Sequence, residues 1–463
     1  MVILCNFSDS TFKLPNSKVS FERYLNGNIV EGYDYSTNGE DLNYGSVKEY
    51  FNSMSGGDFK PQFDIYGPIN LPNTFAHYGA NGSDKDTNAK EMITDAAKIL
   101  DASVNFKDYD NNGDNYADLV YIIYAGYGEN VDGNSSDCIW PKSTSIDSDT
   151  EYDGIKIRRC GLSNELNGTA TSFANPHING IGLFIHEFSH CLGLPDFYST
   201  TNATTETQKA NNQEMEFWSI MDAGCYSPRG HGTKPCAYTA WERESMGWCT
   251  IDDLTSAGKI TLTDIDDGGK AYRIKNDNDK SGNEYFILQN IQNKNWNCKA
   301  EGHGLLISHV QYDSSIFSLN KNTVNNTLGH PRMTVVAADG ILLNKANASS
   351  TNSYKDYYTS MAGDPFPGTS GNKFFTDTST VKPIIYTGDK LGKPIYNITE
   401  NEDGTISFYF MTKPDVSAIN ATTVDTDDKD TKIYNINGQF IGTDKSALPK
   451  GLYIINKKKV IIK

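Results

Sequence analysis

The sequence predicts an α/β domain over residues 1–255, an antiparallel β-sandwich over 256–412, a linker over 413–431 and a small C-terminal β module over 432–463. In the first part, an amphipathic segment with helical spacing at 88–100 is followed by an apolar, strand-like run at 119–124. Beyond residue 256, short segments of alternating polarity are separated by turns rich in Asn, Asp and Gly, which is typical of antiparallel sheets. The change of pattern places the domain boundary.

Local signals place the individual elements. Residues 2–9 open the chain as an apolar strand. Ser46 with Glu49 three residues later is the pattern of a capping box and predicts the start of a helix. The segments 259–263 and 284–289 alternate or run apolar over strand length, so both predict strands of the sandwich.

The composition argues against several functions. The chain of 463 residues has 41 Lys and Arg against 58 Asp and Glu, which gives a net charge of −17. Such a charge repels phosphate backbones and anionic lipids, so we expect no nucleic-acid partner and no membrane-surface role. No apolar run approaches the roughly 18–20 residues of a membrane span. Eight cysteines without a CxxC pair slightly favour an exported, partly disulfide-bonded protein.

An apolar stretch with two histidines carries the strongest chemical signal. Apolar residues recur there at helical spacing, so His186 and His190 lie one turn apart on one side of a predicted helix and can bind one zinc ion. Glu187 follows the first histidine and can hydrogen-bond a water at the metal. Gly193 ends the helix in a left-handed conformation, and the chain returns to offer Asp196 as the third ligand.

This ligand set predicts hydrolysis. Zinc with three protein ligands keeps one position open for water, and Glu187 is placed to act as the general base for attack on a peptide carbonyl. The alternative is that His186 and His190 are ordinary polar groups on a helix and that Glu187 is solvated.

A second segment places Met221 in a turn of small residues, with Tyr226 shortly after it. Together with the zinc motif, this turn resembles the immune inhibitor A family, among the metzincin-like zinc peptidases. Further similar blocks at 46–57, 64–68 and 302–309 extend the likeness over about residues 1–412. The resemblance implies an α/β zincin catalytic domain in which Met221 lies beneath the zinc. It leaves open whether Tyr226 stabilises the oxyanion or is a surface turn residue.

An acidic loop predicts a second metal. Asp108, Asp110, Asn112, Asp114 and Asp118 present oxygen atoms at near-alternate positions around a Gly. This resembles the first half of a calcium loop, although no Glu stands at the twelfth position. Calcium binding is one interpretation, and an Asx-rich turn is the other.

The expected function is that of a secreted zinc endopeptidase. Its expected partners are protein or peptide substrates, and it is expected to be a monomer. An extended peptide is expected to lie against a sheet edge near residues 125–129. The alternative is a surface protein with a vestigial catalytic part that binds host or matrix proteins or glycans. A narrower alternative is a selective processing or toxin-type protease.

The two ends of the chain bear on localisation. The N-terminus lacks the basic start and long apolar core of a signal peptide, so the protein either stays inside the cell or has a leader upstream of this chain. The resemblance implies a secreted or bacterial cell-surface protein, with signal peptide and propeptide outside the chain. Residues 432–463 resemble C-terminal β modules of exported Bacteroidetes-type proteins, some of which are sorting signals; a small capping hairpin is the alternative.

Overall fold

Five segments between residues 2 and 164 pair into one sheet in the computed structural model of the protein. The strands are β1 (Val2–Asn6), β2 (Ile65–Asn70), β3 (Val120–Tyr124), β4 (Lys142–Ser145) and β5 (Arg159–Asn164), followed by a separate pair, β6 (Leu166–Asn167) and β7 (His177–Ile178). The sheet order is β2-β1-β3-β5-β4, and the neighbouring strands are parallel except β4, which is antiparallel to β5. β4 is therefore an edge strand.

Helices cover both faces of this sheet. They are α1 (Ser17–Asn26), α2 (Val47–Met54), α3 (Phe75–Tyr78), α4 (Ala89–Leu100), α5 (Ile181–Cys191) and α6 (Ala240–Ser245). Val2 and Leu4 of β1 pack in one apolar core with α1, α2 and α5, whereas Ile3 and Cys5 pack in a second core with α3 and α4. Successive side chains of a strand point to opposite faces, so the buried apolar run of β1 serves both cores.

The downstream strands form two sheets over a shared core. They are β8 (Ile251–Asp253), β9 (Gly258–Leu262), β10 (Ala271–Lys275), β11 (Glu284–Ile291), β12 (Gly304–Gln311), β13 (Met333–Val335), β14 (Ile395–Glu400) and β15 (Ile406–Phe410). One sheet has the order β13-β12-β11-β10-β8, and the other has β14-β15-β9. Phe286 and Ile307 of the first share a core with Ile398 and Phe408 of the second. β8 is parallel to β10, and it precedes residue 256, where the predicted antiparallel sandwich begins.

The structure describes residues 1–81, 85–130, 137–146, 150–168, 177–200, 214–227, 231–341, 360–413, 432–436, 438–455 and 458–462. They belong to two units, Met1–Thr412 and Lys413–Lys463. The predicted linker lies outside the described residues apart from Lys413. The predicted boundary at residue 255 falls inside the first unit and stays a prediction.

The second unit is an antiparallel sheet. Its strands are β16 (Ile433–Asn435), β17 (Phe440–Gly442), β18 (Gly451–Ile455) and β19 (Lys458–Ile462), in the order β17-β16-β18-β19. The neighbouring pairs are antiparallel. This confirms the predicted C-terminal β module as a structural unit, while a sorting role stays a prediction.

Two further observations concern the sequence-based expectations. Within the described ranges, no helix combines the length and apolar character needed to cross a membrane. All eight cysteines lie in described residues and all are free thiols, so the structure does not contain the disulfides that the cysteine count slightly favoured.

Candidate metal centre

The helix α5 carries two of the predicted ligands inside the protein core. Every side chain from Ile181 to His190 is buried. Phe184 anchors the helix to the sheet by stacking on Tyr121 of β3, with ring centroids 3.9 Å apart. A helix held this way has little freedom to rotate, so the direction of its polar side chains is set by the packing of its apolar ones.

The two histidines and the aspartate converge as predicted. His186 Nε2 and His190 Nε2 each lie 3.2 Å from Asp196 Oδ1. One ligand atom from each residue lies within 4.8 Å of the others, and all three residues are buried. Two imidazoles and one carboxylate in this arrangement form a donor set suited to zinc.

The hydrogen bonds behind the histidines orient their free nitrogens. His186 Nδ1 lies 2.8 Å from the Ile220 carbonyl oxygen, and His190 Nδ1 lies 2.7 Å from that of Leu194. A carbonyl can only accept, so each Nδ1 carries the hydrogen and donates it. Each Nε2 therefore turns its lone pair toward Asp196, which is the tautomer that a metal ligand requires.

A left-handed glycine brings Asp196 to the histidines. Gly193 has φ 109°, and its N–H donates to the His190 carbonyl oxygen at 2.9 Å, so the chain turns back at the end of α5. Asp196 Oδ1 is buried and has no hydrogen-bond partner. Asp196 Oδ1 and the two imidazole lone pairs therefore form a group of three electron-pair donors that can bind a divalent cation.

Glu187 lies beside this group but is not part of it. Its side chain is buried, and burial raises its pKa, an effect that His186 and His190 partly oppose. The backbone of Ser143, in the edge strand β4, lies close enough to Glu187 to lower its pKa. The predicted base is thus held between the metal ligands and the edge of the sheet.

The turn around Met221 is tied to both ligand-bearing segments. Ile220 accepts the His186 hydrogen bond, and the Met221 carbonyl oxygen accepts the Phe197 N–H at 2.8 Å. Gly182 permits a close approach of α5 to the following loop, because a Cβ there would lie 2.0 Å from the Cys225 carbonyl oxygen. Met221 itself is fully buried, as a floor residue requires.

A buried glutamate, Glu242, supports the turn, although no sequence motif links it to Met221. Glu242 Oε1 accepts from Ser219 Oγ at 2.6 Å and from the Met221 N–H at 3.3 Å. Its Oε2 accepts from the Thr239 N–H at 2.6 Å as part of a capping box. The Thr-x-x-Glu pattern signals a helix start. Nothing in the sequence shows that the same carboxylate reaches the turn.

Two tyrosines border the site. Tyr226 is half-buried and its hydroxyl accepts from Asn130 Nδ2 at 3.3 Å. Burial raises the pKa of Tyr226, so its hydroxyl stays protonated at neutral pH and can donate. Tyr198, which the sequence analysis did not identify, lies with its ring nearly parallel to that of His186 at a centroid distance of 6.4 Å. Its only sequence signal is its place two residues after Asp196. An oxyanion role for Tyr226 stays a prediction.

The acidic loop uses its oxygens internally. Each of the following side chains accepts a hydrogen bond from another residue of the same segment: Asp108, Asp110, Asn112, Asp114 and Asp118. These are contacts typical of Asx turns. Of the described His, Cys, Asp and Glu residues, those gathered closely enough to share a metal are His186, His190 and Asp196. Calcium binding stays a prediction.

A second buried carboxylate, Asp364, contacts the chain that leads to the Met221 turn. Asp364 Oδ2 accepts a hydrogen bond from Trp218 Nε1 at 2.8 Å. Burial raises the pKa of Asp364 to about 8, which outweighs the opposing effect of the indole hydrogen bond. Asp364 is therefore largely neutral in the folded protein at pH 7.

Comparison with known proteins identifies the family. Residues 1–249 match the family model described as immune inhibitor A peptidase M6, catalytic domain. The pre-pro-metalloprotease PrtV of Vibrio cholerae serotype O1 is 29% identical over 268 residues, covering 52% of this chain and 28% of that protein. Immune inhibitor A of Bacillus thuringiensis subsp. alesti is 26% identical over 230 residues, covering 43% of this chain and 31% of that protein.

The matched region thus spans less than a third of the length of these two relatives. The family model, however, matches more than half of the chain and includes the helix, the three convergent side chains and the Met221 turn. The chain belongs to the immune inhibitor A family of M6 peptidases, as its sequence motifs predict.

Proposed function

We propose that the protein is a secreted or cell-surface zinc endopeptidase that acts on extracellular proteins as a monomer. The single observation that carries the proposal is the convergence of His186, His190 and Asp196 beside the buried Glu187. Family membership supports it, because the family model matches residues 1–249, which include these side chains, and one relative is named a pre-pro-metalloprotease. In this proposal, the three convergent side chains hold the zinc ion.

The chemistry follows from the residues around the metal. Zinc bound there supplies a Lewis acid that lowers the pKa of a bound water from about 15.7 to about 7. Glu187 accepts the proton of the attacking water on its carboxylate and then donates it to the amine that leaves. Burial raises the pKa of Glu187, which makes its carboxylate a better proton acceptor than an exposed one.

The peptide substrate is proposed to add to the edge strand β4. Residues 125–129 were the expected edge, but Ala125 donates its N–H to Cys5 and Glu129 donates its N–H to Ile139, so that stretch is paired internally. β4 is an outermost strand of the sheet, and the backbone of its Ser143 lies close enough to Glu187 to lower the pKa of that carboxyl. An extended peptide bound along β4 by backbone hydrogen bonds would place a carbonyl close to the base.

Metal content and proteolysis test the proposal together. Purified protein should contain one zinc ion per chain by elemental analysis and should cleave casein or gelatin. A chelator should abolish the cleavage, and added zinc should restore it. Protein that binds a matrix protein or glycan but cleaves neither substrate with zinc bound would favour the vestigial binding protein instead.

We also propose that the loop from Asp108 to Asp118 binds calcium after rearranging its Asx turns. Isothermal titration with calcium should then release heat and raise the melting temperature of the wild-type protein. The variant Asp110→Asn should lose both effects, because Asp110 is the central acceptor of the loop. Asp444→Asn is the matched control, as this exposed Asx-turn aspartate lies in the other unit. No heat and no stabilisation of the wild type would remove the idea.

A further inference from the structure

We propose that Asn322 is a positioning residue that decides which oxygen of Asp196 faces the metal. Asn322 lies outside residues 1–249, the part of the chain that the family model matches. The inference rests on the proposed zinc site and adds to it a residue from the downstream region. The expected effect of Asn322 is on the orientation of the Asp196 carboxylate and therefore on zinc affinity.

The Asn322 side chain forms two hydrogen bonds with Asp196, one to its carboxylate and one from its backbone N–H. Asn322 Nδ2 donates to Asp196 Oδ2 at 2.6 Å, and the Asp196 N–H donates to Asn322 Oδ1 at 2.7 Å. Asp196 is thereby held through both its backbone N–H and its carboxylate. Because Oδ2 is engaged by the carboxamide, Oδ1 is the oxygen that remains for His186 and His190, each 3.2 Å away.

The neighbouring asparagines hold the same segment without contacting the carboxylate. Asn325 Nδ2 donates to the Phe197 carbonyl oxygen at 2.6 Å. Asn326 Oδ1 accepts the Thr200 N–H at 2.8 Å. The loop that contains these asparagines therefore hydrogen-bonds to the chain at and after Asp196. Of the three, Asn322 is the one that hydrogen-bonds to the Asp196 carboxylate.

The backbone at Asn322 indicates that this residue type is required. Its φ is +49°, in the left-handed region that asparagine adopts more readily than most residues other than glycine. Asparagine thus provides the backbone conformation, a donor for Oδ2 and an acceptor for the Asp196 N–H in one side chain. Partners that orient metal ligands typically change metal affinity by 10–100-fold when they are replaced.

Two substitutions separate these contributions. Asn322→Asp keeps the shape and the acceptor but turns an anionic oxygen toward Asp196 Oδ2. Asn322→Gly removes the side chain and tolerates the positive φ. The control is Asn326→Ala, which removes contacts to Thr200 and leaves Asp196 untouched.

Zinc affinity of the full chain, measured by competition with a chromogenic chelator, is the main readout. Asn322→Asp and Asn322→Gly should bind zinc about 10–100-fold more weakly, with the control within about threefold of wild type. Melting of each metal-free protein checks that all variants fold. In the cobalt-substituted protein, Asn322→Gly should also alter the visible absorption bands, since the carboxylate is free to bind through both oxygens.

The outcomes separate the role of Asn322 from the zinc site itself. If wild type binds zinc and both Asn322 variants bind it equally well with unchanged cobalt spectra, the role of Asn322 is wrong and the zinc site stands. Equal losses in the Asn322 variants and the Asn326→Ala control would also overturn it, because they would trace the effect to general loosening of the segment. Wild-type protein that binds no zinc would remove the proposed function and this inference with it.

Discussion

Replacing Glu187 by glutamine is expected to lower kcat for peptide hydrolysis by about 10²–10⁴-fold while zinc stays bound. Glutamine has nearly the same shape, but it cannot accept the proton of the attacking water. The three metal-binding side chains are separate from Glu187, so the metal should remain. Steady-state kinetics on a fluorogenic peptide, with zinc measured in the same sample, checks both halves of the expectation.

His186→Ala is the matched comparison. It removes one of the three ligands and should lose both zinc and cleavage, whereas Glu187→Gln should lose cleavage alone. Full activity in Glu187→Gln would show that another group is the base. Loss of zinc in Glu187→Gln would show that this side chain is needed to build the site.

Asp364→Asn is expected to stabilise the protein at neutral pH by about 4 kcal/mol. Burial raises the pKa of this carboxyl from 3.8 to about 8 in the folded protein. The folded state therefore binds more protons than the unfolded state between these values, and the wild-type free energy of unfolding falls as pH rises through that window. Asparagine retains an acceptor for Trp218 Nε1 and does not ionise.

Urea unfolding at several pH values measures this effect, with zinc held constant. The stability difference between variant and wild type should grow by about 1.4 kcal/mol per pH unit from pH 5 to 7. It should shrink toward zero near pH 4, where the carboxyl is neutral in the folded protein and about half neutral in the unfolded chain. Equal pH dependence in both proteins would contradict the prediction.

The parts of the site that the sequence predicted are local in the chain. His186, Glu187, His190 and Asp196 fall within eleven consecutive positions, so helical geometry and one glycine turn are sufficient to bring them together. The capping box at Ser46 is likewise confirmed, because its hydrogen bonds span three residues.

The features that were missed depend on contacts distant in sequence. Glu242 reaches Met221 across 21 positions, and Asn322 reaches Asp196 across 126. Neither has a spacing pattern that marks its partner. The edge position of β4 was missed for a related reason, because strand order depends on which distant segments pair. Residues 125–129 were expected at the edge, but the N–H groups of Ala125 and Glu129 donate to other residues of the fold.

The long reach of Asn322 has a consequence for biosynthesis. Residues 181–196 leave the ribosome well before the residue that orients the last ligand, and at about 5–20 residues per second the interval is roughly 6–25 s. A nascent chain can therefore form helix α5 before Asn322 is available to orient the Asp196 carboxylate. The contact that orients Asp196 is then completed only late in translation, after more than a quarter of the chain has followed that residue.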